Sequence, residues 1–449
     1  MYMNDRSASG RKKIAVVGAG IAGLTAAYEL KKAGYEVDVF EKNSATGGRM
    51  ATRHGGNIPF DTGADFFSEN YSSLKSYAQE LNIPWLTELE GSTHRIIKNG
   101  KTYNLDLEHA YDAITFSVIP FFERIKFIIF CIYIKIFYPD LDFFNLSNVS
   151  ASLDIGPADK YIKRFLGKAT NDYIADSFTG IMQFHRADDI STAAFFALVS
   201  TFLSKNTIRM RHTSRGIGEI PKVLAERIGV QTNAVVENIV GEKGSISMII
   251  NGINRSFDAV VVATPASSTR SLIKNPSQEQ TLILDNAKYA STMVVSFKIP
   301  SDLFTKKVHC TYVPYTENKV ISGYSNEGCK GKSHCDGNIT LLNIFLHEGA
   351  AREFMSLSDE EIFNKLSEEL TKVCPEIKDK KLIPYDIARW PEAMPKFSHK
   401  YISIVRENID LAEGAGGVFL AGDYLNSPWT EGACRSGQRA AKLVQKYLS

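Results

Sequence analysis

Residues 14–42 read IAVVGAGIAGLTAAYELKKAGYEVDVFEK, and the fold is decided there. Ile14–Val17 is a short apolar run of the kind that forms a buried strand. Gly18, Gly20 and Gly23 follow as G-x-G-x-x-G, then a helical stretch opening at Ile21-Ala22, then a second strand that ends at Glu41. In such a unit the first glycine permits a tight turn, the second lets a pyrophosphate approach the backbone, and the third lets helix and strand pack closely. The helix start points free N–H groups and the positive end of its dipole at the phosphates. Glu41, with Lys42 beside it, stands 18 residues after Gly23, where a carboxylate can bind both ribose hydroxyls. This is a Rossmann-type dinucleotide site, and to this point it allows NAD or FAD.

The next stretch favours FAD. Gly47-Gly48-Arg49 offers further backbone N–H groups and a guanidinium to the same pyrophosphate. The segment FDTGADFF, residues 60–67, reads as a strand entering a turn of small residues. Gly63, Ala64, Asp65 and Phe66 in that turn suit the close approach of a flat ring.

Composition sets the outer bounds. The chain has 449 residues with 52 Lys+Arg against 50 Asp+Glu, a net charge of +2. Nucleic acid is not an expected partner, because phosphate binding needs concentrated basic charge. The 44% hydrophobic and 23% charged residues are globular values. Six scattered cysteines show no metal-ligand or disulfide spacing, so no metal is expected and the setting reads as intracellular and reducing. Residues 116–138 are the most apolar stretch, but the longest uncharged run within it is the eight residues Phe127–Ile134, against the ~20 a spanning helix needs. Three readings stay open for it: a helix buried in a large domain, a substrate entrance, or a peripheral membrane contact on an otherwise cytoplasmic protein.

Three separated blocks together resemble the flavin amine oxidase superfamily, which includes monoamine and polyamine oxidases, protoporphyrinogen oxidases and phytoene-desaturase-like enzymes. The first is Gly18–Arg49 with Phe60–Phe66. The second runs from Arg215 to Pro265, with RGIGEIPKVLAERIGVQTNAVVENI followed by FDAVVVATP; the third is VFLAGDYLNSPWTEGACRSGQRAAKLVQKYL, residues 418–448. The resemblance implies that Val236 meets the adenine through its backbone and that Ala263 closes the second block on the cofactor. It also implies that Gly422-Asp423 lies near the pyrophosphate and ribityl chain. The helix opening at Glu431-Gly432-Ala433 would then point at the flavin pyrimidine edge, with Gly432 and Gly437 letting it lie close to the cofactor. Trp390, followed by Pro395, and Trp429 would flank the flavin or the pocket. The implied architecture is α/β: a Rossmann-type FAD-binding domain from residues 1–75, 208–275 and 385–449, interleaved with an α+β substrate domain from 76–207 and 276–384 that carries a helical subdomain.

The departures from the family pattern narrow the chemistry. Many amine oxidases carry a lysine in the strand after the substrate domain, holding a water at the flavin; the matching position here is Thr292. No cysteine lies in Trp390–Lys400, so FAD is expected to be non-covalent, and no second G-x-G-x-x-G indicates an NAD(P)H domain. The expected function is an FAD-dependent oxidoreductase removing hydride from a hydrophobic small molecule, porphyrinogen-oxidase- or desaturase-like, with reoxidation by O2 or another acceptor. The alternatives are an amine oxidase forming an imine, a renalase-like oxidase, or a non-catalytic flavoprotein. His185 and His212 are read as structural.

Overall fold

The computed structural model describes residues 11–87, 93–105, 115–203, 210–242, 244–304, 307–378 and 380–449. The expected crossing at 207–208 and the first ten residues of the expected cofactor-binding domain lie outside these.

Lys13–Val17 is the central strand of a five-stranded sheet whose order is Val230–Gln231, Glu36–Phe40, Lys13–Val17, Ala259–Val262, Val418–Leu420. All four pairings are parallel. Ile14, Ala15 and Val16 are fully buried, as the uninterrupted apolar run requires of a strand covered on both faces. Helix Ile21–Lys32 follows the glycine turn, and helix Thr430–Leu448 packs along it. The strands therefore come from three distant parts of the chain.

The second large sheet is mixed. Its order is Ile383–Lys396, Lys288–Pro300, Ile339–Leu346, Ile321–Asn326, Val308–Tyr312, Thr93–Lys98, Lys101–Asn104, with Cys335–Asp336 paired to Ile339–Leu346. Met293, Val295, Phe297 and Ile299 alternate along one strand and enter a separate core, as period-two geometry dictates. Ile362, Leu366 and Leu370, on one face of helix Asp359–Val373, close that core. Ser358 and Glu361 form a reciprocal capping box at the helix start.

One expected boundary differs here, and one of the three readings of 116–138 falls. Ile383–Lys396, expected largely within the cofactor-binding segment, pairs along its length with Lys288–Pro300 and belongs to the mixed sheet. Its period-two apolar pattern is interrupted by Pro384, Pro391 and Pro395, which conceals a strand in the sequence. The stretch 116–138 does form a helix, Phe121–Phe137, but not a buried one. Only Phe130, Cys131 and Ile134 are buried, with Phe130 stacked on Phe195 at 5.7 Å. Phe121, Phe122, Ile129, Ile132, Ile136 and Phe137 are each more than half exposed. Among the described residues no helix is long and apolar enough to cross a membrane.

Gly437 was expected to serve cofactor approach. It is instead where the terminal helix meets Ile21–Lys32: a Cβ there would stand 2.1 Å from the Ala22 carbonyl oxygen. Replacing glycine by alanine within a helix ordinarily gains about 1 kcal/mol, whereas overpacking against backbone costs about 1–3 kcal/mol. The carbonyl belongs to a fully packed helix and cannot yield, so the second effect wins. Gly437→Ala is expected to lower the unfolding midpoint in a urea titration, and an unchanged midpoint would show that the two helices are not pressed together.

Candidate active site

The glycine turn shapes a cavity of about 730 Å³ between the parallel sheet, the terminal helix and the end of strand Ile383–Lys396. Gly18 takes φ +97°, and its N–H donates to Phe40 O at 2.8 Å, bending the chain out of the sheet. At Gly23 a Cβ would fall 2.0 Å from Gly18 O, so this glycine lets the helix seat on the turn. Gly20 is different in kind: a Cβ there meets no heavy atom within 4 Å, and the residue faces the open cavity. Room beside backbone N–H groups at a helix start fits a diphosphate.

Many of the expected cofactor residues converge on this space. Gly20, Ile21, Ala22, Arg49, Gly63, Ala64, Ala263, Gly422, Asp423 and Ala433 line it, together with Trp390 and Trp429. Arg49 grips Asp423 at 2.7 and 3.1 Å and donates to Ala393 O at 2.8 Å, spanning three distant segments. Trp390 donates its indole N–H to Thr62 O and so fixes the turn leading to Gly63. Thr292, paired with Trp390 across the mixed sheet, also lines the cavity; its hydroxyl donates to Leu346 O at 3.2 Å. The position aligned with the amine-oxidase lysine thus faces the site without a basic group.

Other expected residues take supporting places. Glu41 is buried and accepts from Ala19 N–H at 2.9 Å and from Asn43 N–H and Nδ2 at 2.9 and 2.8 Å. Residues 233–234 bond back to this segment, Ala234 N–H to Glu41 O at 2.9 Å, which brings the start of strand Val236–Glu242 beside it. Lys42 is exposed, and a Cβ at Gly48 would stand 3.6 Å from Gly20 Cα. Glu431 turns from the cavity: its carboxylate accepts from Ser73 and Leu74 N–H at 2.9 and 3.0 Å and from Arg435 Nε at 2.8 Å. It caps the helix Ser72–Glu80. At Gly432 a Cβ would meet Ser427 Cβ at 2.4 Å, so that glycine serves loop packing, not cofactor approach.

A second cavity, of about 610 Å³, adjoins the first and shares Gly63, Ala64, Phe184, Met394, Trp429 and Thr430 with it. Its walls include Phe66, Ile181, Met182, Met210 and Phe345. Trp429 donates to Met182 O at 3.2 Å and packs on Phe143 at 4.8 Å. Phe184 holds φ +62°, a left-handed conformation that costs a bulky residue about 1–2 kcal/mol.

Asp65 and His309 bring polar chemistry to this wall. Behind them lies a group that sequence reading missed. The Lys330 ammonium stands 2.9 Å from Asp65 Oδ1, 2.7 Å from Glu327 Oε2 and 3.4 Å from Asp61 Oδ2, and donates to Asp65 O at 2.6 Å. The side chains of Asp61, Glu327 and His334 converge to within 4.8 Å of one another, as do those of Asp65, His309 and Glu327, and Lys330 supplies a fixed positive charge among their carboxylates. Burial and the Lys330 charge push His334 down to about 2, so its ring is neutral. Glu327 and Lys330, three residues apart in a turn, look in sequence like a solvated i,i+3 pair. Only the burial of both side chains reveals otherwise. His185 and His212 are buried on backbone carbonyls, as expected of structural histidines.

A parallel nucleotide-type sheet, a glycine turn open to a long cavity and an adjoining apolar chamber define a dinucleotide-dependent enzyme acting on a small molecule. The sequence profile described as "Flavin containing amine oxidoreductase" matches residues 21–445. The chain belongs to that family, an FAD-dependent oxidoreductase of the amine oxidase superfamily. It is 23% identical to 15-cis-phytoene desaturase of Narcissus pseudonarcissus over 97% of this chain and 80% of that protein. Protoporphyrinogen oxidase 2 of Arabidopsis thaliana is 21% identical over 97% of this chain and 94% of that one. The cyclohexylamine oxidase structure from Brevibacterium oxydans superposes with a TM-score of 0.77 at 16% identity, covering 98% and 100% of the two chains.

Gly20 is extended, with φ −74° and ψ 172°, so valine fits its backbone. Gly20→Val is expected to fold and to purify colourless, without flavin absorbance. Glu41→Ala leaves the Ala19 N–H without its acceptor, costing about 1–3 kcal/mol, and is expected to need excess FAD to regain full absorbance. Two yellow, fully loaded variants would remove this turn from the cofactor site.

Proposed function

We propose that this oxidoreductase holds FAD non-covalently in the larger cavity and removes hydride from a hydrophobic small molecule in the adjoining one. The bond oxidised is C–C or C–N, and O2 or another acceptor reoxidises the flavin. In this reading residues 1–75, 208–275 and 385–449 form the cofactor-binding half, apart from the strand Ile383–Lys396. Residues 76–207 and 276–384 form the substrate half. Gly20 and the start of the helix Ile21–Lys32 receive the diphosphate, with Arg49 beside it. Glu41 binds ribose, and Val236 lies at the adenine. Gly63, Ala64, Ala433 and the two tryptophans frame the ring. The flavin supplies the two-electron redox chemistry, and the protein supplies orientation and dryness.

One observation carries the substrate class: the chamber next to the cofactor cavity is walled mostly by Phe66, Ile181, Met182, Phe184, Met210, Phe345 and Trp429. An amine oxidase forming an imine is the second reading, favoured by the polar pair Asp65 and His309 on that wall. Anaerobic visible spectra of the purified protein, with polyenes, porphyrinogens and amines added separately, test both. Bleaching by a polyene or porphyrinogen is expected. Bleaching by amines alone would transfer the assignment to the second reading.

The exposed helix Phe121–Phe137 fits a lipid surface. Its outward side chains are apolar, and Lys126 and Lys135 are exposed among them. The nearby acid is turned inward, Glu123 accepting from Thr170 N–H at 2.7 Å and Thr170 Oγ1 at 3.1 Å. What remains outside is apolar with a basic edge, complementary to anionic headgroups over acyl chains. Each inserted large side chain is worth about 1.5–3 kcal/mol. The protein is expected to co-sediment with anionic phospholipid vesicles, and the variant Phe122→Glu/Ile129→Glu/Ile136→Glu to stay in the supernatant. Equal sedimentation of the two would exclude this face.

A further inference from the structure

Removing two hydrogens as a hydride leaves a proton to be placed, and the substrate chamber has a carboxylate on its wall. Asp65 lines the chamber. Behind it, the Lys330, Glu327 and Asp61 side chains are each 1% exposed. One ammonium there faces three carboxylates. With all three ionised, two negative charges would stand uncompensated inside the protein, at a large desolvation cost. The group therefore takes up a proton readily, and geometry favours Glu327 as its holder. Glu327 is fully buried and accepts from Ser325 Oγ at 2.8 Å on one oxygen. Its carboxylate lies within 4.8 Å of both the Asp65 carboxylate and a ring nitrogen of His309. Burial, then the Asp65 charge, push Glu327 up to about 7 against the pull of Lys330.

We propose that Asp65 is the base that accepts the proton released by the dehydrogenation, that Glu327 receives it next, and that Lys330 positions the pair. This rests on the reading of the chamber as the substrate site. In the step, one hydrogen leaves the substrate with its bonding electron pair as hydride, for which FAD, when bound in the adjoining cavity, would be the two-electron acceptor. The second hydrogen, on the neighbouring carbon or nitrogen, leaves as a proton to the Asp65 carboxylate, and its bonding pair becomes the new C=C or C=N bond. The groups facing this site from the surrounding elements are Asp61, Lys330, His309, His334 and, through the His334 ring at 5.3 Å, His212. His94 packs on His309 at 5.6 Å. Burial lowers both His212 and His334, so neither competes for the proton.

Infrared difference spectra of the FAD-loaded protein, titrated from about pH 5 to about pH 9, read the stored proton without any substrate. A carboxylic-acid C=O band that vanishes as pH rises through about 7 is expected, and it is expected to be missing in Glu327→Gln. Stopped-flow flavin reduction, with whichever polyene, porphyrinogen or amine bleaches the protein, reads the transfer. A proton on the pair blocks acceptance, so the wild-type rate is expected to rise with pH through about 7 and the Glu327→Gln profile to be flat there. Asp65→Asn is expected to slow reduction by about 10²–10⁴-fold at unchanged FAD content. No titrating acid band, or wild-type reduction by Asp65→Asn, would overturn the assignment. If none of the probes bleaches the flavin, the substrate reading fails by itself, and the infrared band alone decides whether the pair stores a proton.

Discussion

Three backbone-to-backbone contacts hold the cofactor end together, and each exists because a side chain is missing. Gly23 seats the helix Ile21–Lys32 on the carbonyl of Gly18, Gly437 brings the terminal helix onto the carbonyl of Ala22, and Gly63 lies on the carbonyl of Arg49, where a Cβ would be 2.4 Å away. The first sets the direction of the helix start. The second presses a helix from the chain's last twenty residues against a helix from its first forty. The third keeps the turn Gly63–Phe66 flat against the segment carrying Arg49. With these contacts made, the space in front of Gly20 is left open and Arg49 reaches Asp423. The cavity is the volume these close approaches leave between them.

The adjoining chamber follows from the mixed sheet. Ile383–Lys396 is long enough to pair with Lys288–Pro300 and still deliver Trp390, Ala393 and Met394 to the cofactor cavity. Thr292 reaches the same wall from the neighbouring strand. The two cavities thus share one sheet as a boundary, which fixes their separation through hydrogen-bonded register rather than through flexible loops.

The nucleotide unit was legible in sequence because its constraints are local: glycine spacing, an apolar run and an acid at the strand end all lie within Ile14–Lys42. The family and the α/β architecture followed from three such blocks in order. Less was legible where a residue's meaning depends on distant partners. Gly432 and Gly437 carry the same one-letter code as Gly20, yet they meet Ser427 and Ala22 and not open space. Glu431 sits in the right turn, but Ser73 and Leu74 draw its carboxylate away. Lys330 gave no signal, since three carboxylates from two parts of the chain surround it only after folding. The helix Phe121–Phe137 has a composition suited to a core, and its exposure depends on how little of the protein is built against it.

The order of the parallel sheet has a consequence for how the protein is made. Val17 pairs with Val262, and Val262 with Leu420, so the sheet begun near the N-terminus closes only when nearly the whole chain is available. Contacts so distant in sequence make folding slow, because the intervening chain must be ordered first. On the ribosome, the apolar strand Ile14–Val17 emerges shortly before its neighbour Glu36–Phe40 but long before its other neighbour, Ala259–Val262. During that interval its one unpaired edge invites association with other chains. The chain arrangement that shapes the cavity therefore leaves that edge open until residues 259–262 have been synthesised.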